Sequence, residues 1–472
     1  MRPKQDNQTR LVIPVSNLKV TNEFFAQYEE ISRVLDSNPE ILNLVDADLK
    51  KGIATVNQQQ RKRILKNGFT YTSETVLRLV VCRKIEGLSY RDLAVRVDDS
   101  QYLRRFTRIY DGPMMDYSTL NRLECVIRPK TWEKVNEVLT SWAIKQGKIA
   151  GESLRLDTTA VETNIHHPTD SWLLWDLYRV LARSIDAARE IDRDAVGPRR
   201  LQVDQVKKLE QQIGRAAGKK KPLDTLKPFY VRLLGHVEGI CQWARQVVAV
   251  MTLNLHEGRY DLFKSLLAEG IVAETTHFLA LAPKVIEQAR RRVILGEAVP
   301  NCDKIFSIFE EHTELLIRGK VAKEIEFGHM VLIGQVAGKF ITQYDVFEKK
   351  PVEHKLLAPI LAAHKETFKA PPKQLAADKG FYKDMEALRE LEKEIGTVAI
   401  GKKGKRNAEE TEREHSPAFR LAQRFRAGVE GTISFLKRVF GMFRVLRKGW
   451  THFAAEIGAA VFAHNLVILA RS

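Results

Sequence analysis

Apolar and polar positions change period several times along this chain, and each change predicts a different element. Up to about residue 150 the pattern is helical: Leu77, Leu79, Val80 and Val81 lie in one helix that Ser73 can cap and Gly87 breaks. Ser89 can cap the next, Tyr90 to Val97, with Asp92 near its positive end. The period then drops to two, because Leu154, Leu156 and Thr158 alternate with Arg155, Asp157 and Thr159. Side chains two apart share a strand face, so Asp157 points away from the leucine pair. From Trp172 to about Arg318 helical spacing returns, as in Leu173, Leu174, Leu177, Val180 and Leu181. Strand character resumes at Ala322. Ile325 and Phe327 alternate with charged neighbours, Met330 to Val336 is apolar and partly β-branched, and Phe340 to Phe347 follows Gly338. Beyond these the pattern predicts a helix over Pro351 to Phe368, a strand over Gln374 to Ala377, a helix over Lys383 to Glu394 and a strand over Thr397 to Ile400. A last helix is predicted over Arg424 to Arg447, with a buried stripe of Phe425, Val429, Ile433, Leu436, Phe440 and Phe443. A strand, a long helical block, and then strands interleaved with helices predict an α/β fold with helices on the faces of a mixed sheet.

Composition adds a partner to this outline. The chain has 472 residues, 44% of them apolar, enough for two or three cores. A formal charge of +17 favours polyanions, since each phosphate met by Lys or Arg releases condensed counterions. The two helices joined at Gly87 carry Arg83, Lys84, Arg91 and Arg96, and Arg104, Arg105 and Arg108 follow. They suit a helix-turn-helix on duplex DNA, or equally a helical bundle with a solvated basic face. Lys402, Lys403, Lys405 and Arg406 form a basic loop with Gly401 and Gly404 that could order on phosphates or serve as an exposed linker. Cys82, Cys125, Cys241 and Cys302 stand singly, which suggests reduced thiols in a cytoplasmic protein. The apolar stretch Leu11 to Val15 is too short for a signal-peptide core, and Phe453 to Ala470 is interrupted by Glu456, His464 and Asn465. Both point away from a membrane.

Candidate chemistry rests on three acids, Asp157, Asp378 and Glu430, each set where its carboxylate could enter a shared site. Oxygen ligands of this kind suit hard divalent cations. Arg426, Glu430 and Lys437 fall at i, i+4 and i+11, within roughly 40° of one another around a helix axis. Glu430 could bind metal while Arg426 and Lys437 contact phosphates, or the trio could be a salt-bridged solvent face. His166 and His167 read as structural or phosphate-contacting residues. Trp172 and Trp175 read as core, with stacking on an unpaired base the sharper alternative.

Three blocks carry a family resemblance: Asp157-Thr158-Thr159-Ala160-Val161 continuing to Ser171, Ala377-Asp378-Lys379-Gly380-Phe381-Tyr382, and Arg426-x3-Glu430-x6-Lys437. Together with Leu88 to Ala94 and Phe462 to Leu466, they resemble the DDE transposases of bacterial insertion sequences, most closely the ISNCY type. The resemblance implies an RNase H-like core with Asp157 on the first strand, Asp378 at the end of the fourth and Glu430 on a late helix. It implies a helical DNA-binding region at 1–150, a catalytic core at 151–170 and 320–472, and a helical insertion at 171–319. Two Mg²⁺ ions, for which Mn²⁺ can substitute, would be held by Asp157, Asp378 and Glu430. The partners implied are double-stranded DNA, as element ends and as target, and a second copy of the chain in the reacting complex. Related enzymes have Tyr three residues before the signature Arg, where this chain has Gln423. A DNA nuclease that does not join strands, and a catalytically silent DNA-binding derivative, are the competing readings.

Overall fold

The structure, a computed structural model, describes residues 16–54, 71–218, 223–317 and 325–471. Leu11 to Val15, Lys219 to Lys221 and the strand onset at Ala322 lie outside the described residues. The chain divides into two compact units, residues 1–164 with 316–472, and residues 165–315.

The first unit opens with helices α1 (Lys19–Asp36), α2 (Pro39–Ala54), α3 (Ser73–Glu86), α4 (Tyr90–Asp99), α5 (Gln101–Phe106), α6 (Tyr117–Val126) and α7 (Pro129–Lys145). Thr72, not Ser73, caps α3, accepting a hydrogen bond from Thr75 N, while Ser73 is buried and donates to Asp46. Gly87 ends α3 at φ 64°, a left-handed conformation in which a side chain is strained, and Ser89 caps α4 as its sequence predicts. Strand β1 (Ser153–Thr163) follows.

The second unit is built from helices α8 (Asp170–Ile191), α9 (Val203–Gly218), α10 (Leu223–His256) and α11 (Leu262–Ala289) around a core that includes Leu174, Leu177, Leu181, Leu233, Val237 and Val285. Its helical pattern stops at the π-helical turn Arg290–Ile294, well short of Arg318. The chain then runs through irregular structure into a short strand, β2 (Glu314–Ile317), that helical spacing did not reveal.

The remaining elements return to the first unit: β3 (Ile325–Val336), β4 (Ile341–Phe347), α12 (Leu357–Phe368), β5 (Gln374–Ala377), α13 (Met385–Glu394), β6 (Thr397–Ile400), α14 (Ala408–His415), α15 (Pro417–Arg438), β7 (Arg444–Val445) and α16 (Trp450–Ala470). Among the described residues the strands form one seven-stranded mixed sheet. β1 pairs antiparallel with β3, which pairs antiparallel with β4, and on its other side β1 pairs parallel with β5, itself parallel to β6. The order β4, β3, β1, β5, β6 is that of an RNase H-like core.

Period two in β1 sorts its side chains onto two layers. Leu154 and Leu156 pack with Leu332, Leu357, Ile360, Leu375 and Leu388 under α12 and α13. Val161, with Val331 and Ile333 of β3, packs on the other layer against Val429 and Leu436 of α15 and Phe462 of α16. That same core takes in Tyr28, Leu79, Leu103 and Trp132, so α1, α3, α5 and α7 are fused to the sheet rather than tethered beside it. Helix α16 is long and apolar enough to cross a membrane, yet 78% of its most apolar window is buried inside this fold.

Helix α15 differs from its expected bounds. It begins at Pro417, where Ser416 caps it through Phe419 N, and it stops at Arg438. Val429, Leu436 and Phe440 are buried as the stripe predicts, whereas Phe443 lies beyond the helix and is 56% exposed. Arg444 and Val445 instead pair with Glu162 and Thr163 of β1 as β7.

Candidate active site

Strand register creates the site. Leu156 of β1 is the Cα partner of Ala377 on the parallel strand β5, so the next residues, Asp157 and Asp378, leave the pair side by side. Asp157 shares its face with Arg155, and that face looks at α15. The Arg155 guanidinium donates to Phe425 O (2.7 Å) and, through Nε, to Gln335 Oε1 (2.7 Å). Gln335 in turn donates to Thr432 Oγ1 (3.0 Å) and to Lys339 O (2.6 Å). Burial brings the Arg155 guanidinium down to about 10. This polar clamp fixes the rotation and height of α15 on the sheet.

Gly428 is what lets the clamp close, since a Cβ there would fall on the Arg155 guanidinium. The guanidinium is held at three points and cannot step aside freely. Gly428→Ala is therefore expected to cost about 1–3 kcal/mol by overpacking. Chemical denaturation would read this as a lowered midpoint at unchanged slope.

With α15 so placed, Arg426 faces all three acids. Its guanidinium lies 3.2 Å from Asp157 Oδ2, 3.9 Å from Asp378 Oδ1 and 3.3 Å from Glu430 Oε1. Asp157 is the buried member, with 13% of its side chain exposed against 51% for Asp378 and 63% for Glu430, so its charge is the least screened by solvent. Burial pushes the Asp157 carboxyl above its ordinary value; Arg426 opposes this, and Asp378 and Glu430 add to it by like-charge repulsion, while Thr158 N stabilises the anion. Lys437 lies half-buried further along α15.

Among the described residues, no three His, Cys, Asp or Glu side chains are gathered closely enough to hold a metal ion as they stand. The centre of the acidic set is taken by a cation of the chain itself. The donor chemistry nevertheless fits a hard cation: three carboxylates from β1, the end of β5 and α15 converge on positive charge. Arg426 Nε is buried without a hydrogen-bond partner, so nothing locks that guanidinium in place from behind.

Gln423, at the place of the family's tyrosine, donates to Ala399 O (2.6 Å) and Ala377 O (3.4 Å) and ties α15 to the ends of β5 and β6 beside Asp378. Glu353 accepts from Thr158 and occupies the space a side chain at Gly380 would need, which accounts for glycine two positions after Asp378. Arg155, Gln335 and Glu353 were not singled out from sequence, whereas Gln423 stood out there only as the replacement of the family's tyrosine. Only Arg155 offered a signal, its place two residues before Asp157 on the same strand face.

The basic residues expected on DNA separate into inward and outward sets. Arg83 and Lys84 are not on the surface: Arg83 pairs with Glu124 (2.7 Å) and Glu456 (3.0 Å), and Lys84, 2% exposed, pairs with Glu456. Helix α3 is a core helix, which its charged residues concealed. Arg104 turns back onto Tyr110 O (2.8 Å), Gly112 O (2.5 Å) and Asp98 (2.6 Å). Arg91, over the Tyr117 ring, Arg96 and Arg105, paired with Glu29, are outward. In the basic loop Lys402 and Arg406 pair with Glu410 and Glu414 at 2.8 Å each, and Lys403 and Lys405 are exposed. In the second unit Trp175 is buried, and half-exposed Trp172 packs on His166, which is 3.3 Å from Asp176.

The family model described as "Transposase DDE domain" matches residues 324–466. This stretch is similar to a transposase DDE domain. The matched stretch contains Asp378, Arg426, Glu430 and Lys437; Asp157 lies before it in sequence and reaches it through the β1 pairings with β3 and β5. DDE transposases generally use divalent metal ions, and the family implies DNA as the partner. No curated protein and no solved structure matches the chain.

Proposed function

We propose that the chain is a transposase that binds the ends of an insertion sequence of the ISNCY type, cleaves DNA phosphodiester bonds and transfers the freed 3′-OH ends to target DNA. One observation carries this reading: Asp157, Asp378 and Glu430, from distant parts of the sequence, face a single guanidinium, and two of them lie in the stretch similar to a DDE domain.

Asp157, Asp378 and Glu430 would hold two Mg²⁺ ions, with Mn²⁺ able to substitute, and Asp157 as the inner ligand. When bound, such ions supply Lewis acidity to the attacking and leaving oxygens of an in-line displacement. Arg426 would exchange its carboxylate partners for a substrate phosphate, and Lys437 would contact a phosphate further along the same helix face. In the first displacement a water oxygen bonds to phosphorus and the 3′ oxygen leaves as the hydroxyl. In the second that hydroxyl bonds to a target phosphorus and the target's 3′ oxygen leaves. Outward Arg91, Arg96, Arg105, Lys403 and Lys405 would hold flanking duplex through its phosphates. Pairing of two ends calls for a homodimer in the reacting complex, in the cytoplasm or nucleoid.

A plasmid carrying the DNA that flanks this gene, incubated with protein and Mg²⁺, tests the reading. Element ends joined to new DNA are expected. Nicks or breaks without joining would instead make the protein a nuclease, and no strand scission at all would leave the silent DNA-binding derivative.

A further inference from the structure

The turn between α3 and α4 and the chain from Arg438 to Glu456 enclose a cavity of about 730 Å³. Its lining is strongly cationic, with Arg83, Lys84, Arg438, Arg444, Arg447 and Lys448 against one carboxylate, Glu456. The floor is a buried ion cluster in which Arg83 and Arg447 each meet both Glu124 and Glu456, and Lys84 meets Glu456. Three cations thus share two carboxylates out of solvent, which leaves one positive charge in excess. Burial above all, and then Arg83 against the pull of Glu456, lowers the Lys84 ammonium to about 8, whereas Glu124 and Glu456 hold the Arg83 and Arg447 guanidiniums above their ordinary value. A buried unmatched charge is costly, and an anion in the cavity would remove that cost.

The rim adds what a nucleic-acid strand needs. Arg438 and Lys448 are exposed, Arg444 is fixed by Glu162 at 2.6 Å, and Leu446 stands 71% exposed between Arg444 and Lys448. Cations on either side of an apolar side chain match a backbone of phosphates separated by sugars and bases. The segment also continues directly from α15, which carries Arg426, Glu430 and Lys437.

We propose that this cavity is a second DNA-phosphate site, distinct from the acidic set, in which Arg438 and Lys448 grip the backbone of the strand and the excess positive charge of the floor draws one phosphate inward. The proposal rests on the transposase reading and adds to it the residues that hold the DNA away from the scissile bond. Binding of the full chain to a duplex bearing an element end, followed by fluorescence anisotropy across a salt series, tests it with Arg438→Gln, Lys448→Gln and the double variant. Each lost phosphate contact is expected to reduce the slope of log K against log salt by about 0.9, and both together by about 1.8. Catalytic loss is not the readout, so a disturbed active site cannot mimic the result.

An unchanged slope and affinity in the double variant, with salt-dependent binding by the wild type, overturns this site and leaves the transposase reading standing. Wild-type protein that shows no salt-dependent DNA binding overturns both. Inorganic phosphate separates the two sources of the anion. If it raises the melting temperature of the wild type but not of the double variant, while DNA binding is the same in both, the cavity serves a small anion and the proposal fails.

Discussion

Asp157→Asn is expected to lower DNA cleavage and joining by at least roughly 1000-fold while leaving the fold as stable as the wild type or more so. The two effects have opposite signs because one buried carboxylate is costly to the resting protein and needed by the reaction. Burial raises the Asp157 pKa in the folded chain above its ordinary 3.8, so the folded state holds that proton more tightly than the unfolded state does. The resulting stability is fully present below the unfolded value and is lost as pH rises through the folded one. Asparagine keeps the shape and neutral hydrogen bonding of the protonated acid at every pH. In metal-free buffer, melting temperatures of wild type and variant should converge at acidic pH, and above the raised pKa the variant should equal or exceed the wild type. Parallel melting curves combined with wild-type cleavage would remove Asp157 from the chemistry. A merely structural acid would give the reverse pattern, with lost stability and retained cleavage.

Much of this site was legible in sequence because its parts obey short-range rules. Alternation around Leu154 to Thr159 set the strand and the face of Asp157, and the bounds of Gln374–Ala377 and Thr397–Ile400 coincide with β5 and β6. Residues i and i+4 on a helix must be neighbours, so Arg426 and Glu430 were bound to meet. What escaped was set by tertiary partners. Arg83 and Lys84 look like a surface pair by charge alone, and only Glu124 and Glu456, remote in sequence, make their burial tolerable. The end of α15 was missed for a related reason: Phe440 and Phe443 continue the helical spacing, yet Arg444 and Val445 gain backbone hydrogen bonds by pairing with β1. Gln423 likewise has no local signature, since its partners are backbone carbonyls of two other strands. The central position of Arg426 could not be read at all without the register that sets Asp157 beside Asp378.

That central guanidinium leads to the second large effect, Arg426→Ala. Its pairs with Asp378 and Glu430 lie at half-exposed or exposed carboxylates and are worth less than about 1 kcal/mol each after solvent screening. The pair with Asp157 matters more, because removing the cation leaves a mostly buried carboxylate facing two others. Metal-free Arg426→Ala is therefore expected to be less stable than the wild type by about 2 kcal/mol at pH 8. The Asp157 pKa should rise further once its opposing charge is gone, so the deficit should shrink as pH falls and Asp157 takes up its proton. Added Mg²⁺ should restore the missing positive charge. It should raise the melting temperature of the variant more than that of the wild type, where the ion must first displace the guanidinium from the three acids. Cleavage should still fall by roughly 100-fold, since a metal at the acids does not replace a guanidinium on the phosphate. An Mg²⁺ shift no larger in Arg426→Ala than in the wild type would mean that the arginine and the metal do not compete for one place, and that the acids do not form the cation site proposed for them.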